Sequence, residues 1–427
     1  MCSGALTGAV GEVLKYDVRR IDYVDINPTL IALANGHAAA LNDRKVRVIN
    51  EDPRVFVREA EPEYDVVMLN APEPATLQAN RLYTLEFFGD VKRILHPGGV
   101  MSFGLLPGTD YQSDEARLIN STMMNTLKST FREVLIVPGN RMYFLASDSA
   151  LSLSIGKLIE QRGINTAYVN KFYLDEEDMA RRSKLILNSL SAEAPVNGDL
   201  EPVSYYHQIA YWLTYFRLNL WPLVIVGAVF LYVVISRLNP VSAGMFTGGF
   251  AASSLEIVLL FAFQILYGYV YQMLGVILAL FMIGLAAGSH LAPRLFPSPG
   301  SRDYIRIQIG IGVYCFLLPV VLVLTRNVLA FRILVIGIFC LLAFVIAVLI
   351  GLEFSLAATL RRGGTQHVAS ELYTADLIGS SLGALLAGTI LIPVCGLVGV
   401  GVMAGLMSLG SSLAAFAGRR SIDNLNI

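Results

Sequence analysis

Charge is scarce in this chain. Of 427 residues only 15% are Asp, Glu, Lys or Arg, while 55% are hydrophobic; soluble domains carry about a quarter charged residues. The deficit is uneven. Residues 1–202 hold 21 of the 32 Lys+Arg and 27 of the 33 Asp+Glu, and no lysine follows Lys184. The first half thus has a water-soluble composition, and the second has that of a segment whose solvent is lipid. A net charge of −1 supplies no basic field, which excludes nucleic acid as a partner. Four scattered cysteines, Cys2, Cys315, Cys340 and Cys395, offer neither a metal spacing nor a disulfide framework, so no metal is expected. The opening MCSGALTGAVGEVLKY lacks the basic-then-apolar pattern of a signal peptide.

Strand and helix signals alternate through the soluble half. Small residues at 4–11 run into EVLKY, a loop and then a helix. IDYVDIN (21–27), VRVIN (46–50), YDVVMLN (64–70) and VMSFGL (100–105) read as strands, each followed or preceded by a helical stretch. FREVLIVPGN and RMYFLAS form a closing pair. Such alternation argues a doubly wound, mostly parallel sheet, with its ligand at the C-terminal strand ends beside the first glycine-rich turn. A first strand should precede that turn, yet the chain opens inside it. The expectation is an N-terminally truncated domain over 1–150. An α/β extension at 151–205 follows, with a strand at INTAYVN and an acidic helix at 175–187.

Several stretches together resemble the polyamine aminopropyltransferases, the spermidine and spermine synthases, and more closely bacterial membrane proteins that fuse such a domain to transporter-like helices. They are EVLKYDVRRIDYVDINP, the acid pair Glu51 and Asp52, YDVVMLNAPEPATLQANRLYTLEFF, and HPGGV. The resemblance covers roughly residues 3–205. It implies a Rossmann-like, S-adenosylmethionine-methyltransferase-like fold that binds decarboxylated S-adenosylmethionine and passes its aminopropyl group to a polyamine or related small amine.

By the same resemblance Asp25 would bind the nucleoside ribose, Asp52 beside Glu51 the adenine amino group, and Gly4 and Gly8 would lie in the glycine loop. A carboxylate must take the proton of the attacking amine, since only a neutral amine is nucleophilic. The family places an Asp directly after the YDVV strand and a second acid three residues on; here these positions are Asn70 and Glu73. An amide accepts no such proton, so Glu73 is the acid left in the loop. Leu6 stands where the family has an acid, and Ser3, Ala5 and Thr7 replace glycines. Other roles fit the same residues. Asp25 suits a turn, and Asp52, ahead of Pro53, suits a helix N-cap. Tyr83, four residues before Phe87, suits core packing as well as a substrate contact.

Seven apolar segments follow, at 218–236, 244–267, 271–292, 305–325, 330–358, 372–393 and 395–417. They predict an all-α polytopic domain over 206–420, seated in a lipid bilayer, here expected to be a bacterial inner membrane. Gly284/Gly288, Gly379/Gly383 and Ala384/Gly388 have the spacing that lets helix backbones approach. Glu256 and Asp376 are acids inside these segments, and Glu353 sits near the end of the fifth. They serve either a polar pathway for a cation, a proton or a polyamine, or interhelical packing. The functional expectation is a membrane-embedded aminopropyltransferase. The alternative is a transporter or sensor whose synthase-like domain only binds a nucleoside or polyamine.

Overall fold

The computed structural model describes residues 1–4, 7–37, 39–105, 113–164, 166, 169, 174–217, 219, 221–268, 271–326, 331–361 and 365–418. They form two compact units, Met1–Phe216 and Arg217–Ile427.

The first unit is an α/β sheet with helices. Its strands are β1 (Ile21–Asp25), β2 (Val46–Asn50), β3 (Tyr64–Leu69), β4 (Leu95–Leu105), β5 (Glu133–Val137) and β6 (Met142–Ser147). Between them run α1 (Ala9–Val13), α2 (Pro28–His37), α3 (Pro53–Glu59), α4 (Leu77–Asn80), α5 (Leu85–Ile94) and α6 (Asp114–Lys128); α7 (Ile155–Gln161), α8 (Glu176–Ser189) and α9 (Val203–Tyr215) follow. The β1–β2 and β3–β4 pairs are parallel, while β6 runs antiparallel to both β4 and β5. The strand expected at INTAYVN lies outside the described residues except for Ile164, Thr166 and Val169.

The position between β1 and β3, where sequence led us to expect no strand, is filled in part. Cys2 bridges to Val24 on one side and Leu69 on the other, both in parallel sense. Cys2 N–H donates to Met68 O at 2.8 Å and Asn70 N–H to Cys2 O at 2.9 Å. On the other side Val24 N–H donates to Met1 O and Ser3 N–H to Val24 O, each at 2.9 Å. An extended backbone between two open strand edges satisfies donors and acceptors on both, so three residues join the halves. Nearer the starts of the strands, side chains span the gap. Tyr64 donates to Asp22 Oδ2 at 2.7 Å, and Arg20 pairs with Glu63 at 2.7 Å and Asp22 at 3.1 Å. The sheet order is β2-β1-(residues 1–3)-β3-β4-β6-β5, a doubly wound order whose switch point lies at residues 1–3.

One core packs around α5 and α6. Phe87, Phe88, Val91, Phe103, Met123 and Phe144 are at most 2% exposed, and Phe103 stacks between Phe88 and Phe144 with centroids 5.6 and 5.2 Å away. The unit continues past 205 to Phe216 because α9 belongs to it. Tyr211 packs against this core and Thr214 Oγ1 donates to Glu115 at 3.1 Å. The preceding stretch is also pinned. Asn197, fully buried, donates to Asn80 Oδ1 at 3.1 Å and to Tyr83 O at 2.9 Å, and Asp199 meets Arg54 at 2.5 Å.

In the second unit seven helices cover the seven apolar segments: α10 (Trp221–Arg237), α11 (Pro240–Leu266), α12 (Tyr271–Leu295), α13 (Ser301–Thr325), α14 (Arg332–Leu360), α15 (Thr365–Leu386) and α16 (Ile392–Ala417). Five stretches among the described residues are long and apolar enough to cross a membrane, the last running through α15 and α16 from Gln366 to Ala417. The break between the segments ending at 393 and starting at 395 takes the form of a kink: a π-turn over Ala387–Leu391 leads from α15 into α16, and Gly396, at φ 69°, is non-helical inside α16. Two of the three small-residue pairs bring helices together. A Cβ on Gly288 would lie 2.2 Å from Val348 O of α14, and one on Gly379 2.0 Å from Phe246 O of α11. Gly388 has nothing within 4 Å and is not such a contact.

Removing Arg54 leaves the Asp199 carboxylate, 3% exposed, buried and without its cation. Arg54→Met is therefore expected to cost about 3–5 kcal/mol of stability, read as a lowered unfolding midpoint of the full chain; an unchanged midpoint would show that the pair is not structural.

Candidate active site

The strands end in polar groups on one rim. Asp25 closes β1 and is 3% exposed, because Tyr23, two residues back on the same face, turns its hydroxyl to Oδ2 at 2.7 Å while Asn27 N–H donates to Oδ1 at 3.0 Å. The turn reading of Asp25 is thus visible in its bonds, and each oxygen keeps a lone pair for a further donor. Asn50, ending β2, donates to Asp25 O at 2.9 Å. Glu51 follows, half-buried. Asp52 caps α3, accepting from Arg54 N–H at 3.0 Å, and pairs with Arg81 at 2.7 Å; it is 7% exposed. The N-cap is the role its geometry displays.

Cys2 lies among these acids. Burial pushes its thiol pKa up; the terminal ammonium opposes this, and the carboxylates of Asp52 and Asp25 add to it. Gly4, at φ +89°, sits so near the end of β3 that a Cβ would fall 2.7 Å from Asn70 Cβ. Gly8, at φ +76°, caps α1 with nothing within 4 Å of a Cβ position. Gly4 therefore closes on Asn70, in a backbone conformation that favours glycine. Asn70 Nδ2 is buried at the strand end and has no hydrogen-bond partner among the described residues.

Glu73 hangs from the loop after β3. Tyr83 fixes that loop, its hydroxyl 3.1 Å from Ala71 O and 3.0 Å from Pro72 O. Tyr83 itself is wholly buried and packs edge-on against Phe103, so it shapes the loop from the core side. The Glu73 side chain is 16% exposed, with Arg141 at 3.5 Å and Gln208 Nε2 at 3.4 Å. Burial raises its pKa above the ordinary glutamate value, and Arg141 and the Gln208 bond pull it partly back. It lines a small cavity of about 30 Å³ together with Leu105, Ala116, Ile119, Asn120, Gln208 and Tyr211. One acid and two amides interrupt an otherwise apolar lining.

Sequence reading missed Tyr23, Arg81, Arg141 and Gln208. The period of two in IDYVD could have found Tyr23; the others reach the rim from other parts of the chain, with no local signal. Glu256 and Asp376 lie in the second unit, in α11 and α15, and Glu256 Oε1 is buried without a partner.

An open α/β sheet with acids at its strand ends and a glycine turn at its switch point defines a methyltransferase-like domain. Residues 3–143 match the spermine/spermidine synthase domain family, and the first unit carries a domain of that family. A polyamine aminopropyltransferase of Oceanobacillus iheyensis is 32% identical over 159 residues, 34% of this chain and 30% of that protein. One of Sulfolobus acidocaldarius is 30% identical over 135 residues, 30% of this chain and 44% of that protein. The chain thus spans less than half the length of either. The solved spermidine synthase of Thermotoga maritima aligns at 17% identity with a TM-score of 0.35, covering 44% of this chain and 66% of that one.

If burial dominates at Glu73, carboxyl-labelled NMR will find its titration midpoint above that of free glutamate. Arg141→Met removes a positive charge that favours the carboxylate and raises the midpoint further; a fall in Arg141→Met would contradict this electrostatic account.

Proposed function

We propose that the first unit binds decarboxylated S-adenosylmethionine at the switch-point rim and transfers its aminopropyl group to a polyamine amine, with Glu73 as general base. The observation carrying this reading is Glu73 itself. It is a carboxylate with a burial-raised pKa on the wall of an apolar cavity, just past the strand end where the rim acids gather. The rim also suits a nucleoside. Gly8 leaves its approach open, and the Asn70 amide nitrogen lacks an acceptor that a bound ligand could supply. Asp25, Glu51 and Asp52 offer carboxylate oxygens to hydroxyl and amino groups, and Gly4 lets the turn close.

The chemistry is a displacement. The amine lone pair forms a C–N bond to the methylene carbon on the sulfonium, the C–S bond breaks with its electrons going to sulfur, and methylthioadenosine leaves. Glu73 removes a proton from the amine nitrogen, and a pKa raised toward that of the amine makes it the stronger base. Asn120 and Gln208 would hold the chain's nitrogen, and the apolar walls its methylenes. Five membrane-length apolar stretches support a second unit seated in a lipid bilayer, such as a bacterial inner membrane.

Calorimetry of the full chain is expected to show heat with decarboxylated S-adenosylmethionine and with methylthioadenosine, and methylthioadenosine release to require a polyamine. Glu73→Gln should keep the binding heat and lower turnover by about 10²–10⁴-fold. Binding without release in the wild type would instead assign the unit a ligand-sensing role, and no heat at all would remove the nucleoside reading.

A further inference from the structure

The helical unit contains a polar cluster that aminopropyl transfer does not use. Glu353 of α14 is 0% exposed. Its Oε1 accepts from the Tyr304 hydroxyl at 3.3 Å and from Gln308 Nε2, both on α13. The Gln308 amide is oriented by its other end, since its Oε1 accepts from Ser411 Oγ at 2.6 Å and Thr247 Oγ1 donates to Ser411 Oγ at 2.8 Å. Ser408 Oγ donates to Gln308 O at 3.0 Å. The second carboxyl oxygen, Glu353 Oε2, is buried with no hydrogen-bond partner among the described residues. It rests on α11, where a Cβ at Gly248 would lie 2.2 Å from it. Asp376 of α15 rests on the next residue, its Oδ1 2.6 Å from a Cβ position at Gly249.

Among the described residues no cation pairs with Glu353. The titratable groups facing it are Tyr304 from α13 and Asp376 from α15; Glu256 lies two turns further along α11, one oxygen likewise unpartnered. From α12 comes Ser289, which donates to Gly351 O at 3.3 Å, and from α16 the serines already named. Arg361, two turns on in α14, is paired with Glu371. A buried carboxylate keeps its charge only beside a cation and otherwise takes a proton. Oε2 lies so tightly on the backbone at Gly248 that a metal ion or an ammonium has no space between them. A proton needs none.

We propose that Glu353 is a proton-binding site of the helical unit. The O–H bond forms at Oε2, Oε1 remains the acceptor for Tyr304 and Gln308, and Asp376, against the adjacent glycine, is the acid placed to exchange the proton. An ionisable group inside membrane-length helices marks a pathway more often than a scaffold, and the double glycine gives both acids access to one face of α11.

Infrared difference spectroscopy of the full chain in lipid, with carboxyl-labelled glutamate to separate Glu from Asp, tests this directly. A protonated-glutamate carbonyl band is expected at neutral pH, shifting in D2O and vanishing on alkalinisation. Glu353→Gln should abolish the band, Glu256→Gln should leave it, and Asp376→Asn should move its titration midpoint. If the wild type lacks the band at neutral pH, or the band persists in Glu353→Gln, the proposal fails. The wild-type arm decides even if Glu353→Gln does not fold.

Discussion

Four main-chain hydrogen bonds made by residues 1–3 hold the sheet of the first unit together. On one side of them lie β1 and β2 with Asp25, Glu51 and Asp52; on the other lie β3 and β4 with Asn70 and the Glu73 loop. Each half has its own core, around Tyr23 and Ile31 in one and around Phe87 and Phe103 in the other. The backbone link, together with the Tyr64–Asp22 and Arg20–Glu63 contacts and the Asp52–Arg81 pair, fixes the distance from the acids of the first half to Glu73 in the second. The same link delivers the glycine turn to the rim, since Gly4 follows directly and closes on Asn70. Register, turn and rim thus rest on one ladder position at Cys2.

The two units treat buried charge differently. In the first, two buried pairs match charge with charge: Arg54 with Asp199, and Arg81 with Asp52. Those pairs stitch α3, α4 and the segment before α9 into one body and leave Glu73 as a partly solvated acid with a distant cation. Loose pairing suits a base, which must change charge; close pairing suits a scaffold. In the second unit Glu353 has donors but, among the described residues, no cation, and a proton is what we propose completes its environment.

Much of the first unit was legible in the sequence because its signals are local. The alternation of short β-branched runs with amphipathic stretches marks a doubly wound sheet, and IDYVD shows its acid at the strand end. The Asp52-Pro53 step announces a helix cap, and the cap is what forms; a nucleoside contact at Asp52 would have to coexist with it. The partial strand at residues 1–3 was not legible, since three residues carry no periodicity and pair only because two edges await them. Gln208 and Arg141 were invisible for a similar reason: they meet Glu73 through tertiary packing across more than sixty residues of chain. In the helical unit, apolar length marked the helices, while the form of the break between the last two, a π-turn and the Gly396 kink, depends on neighbours. Small-residue spacing found two contacts and misplaced the third at Gly388. Glu353 stood out less than Glu256 in a linear reading, because burial at a helix crossing has no sequence signature.

If the switch-point rim binds a nucleoside, as we propose, the ligand contacts both the backbone around Gly4 and Gly8 and the loop at 70–76. Hydrogen–deuterium exchange of the full chain with and without methylthioadenosine tests it most directly. Exchange is expected to slow in both segments and at the end of β1, with the cores unchanged. Protection confined to other surfaces, or none at saturating ligand, would contradict it.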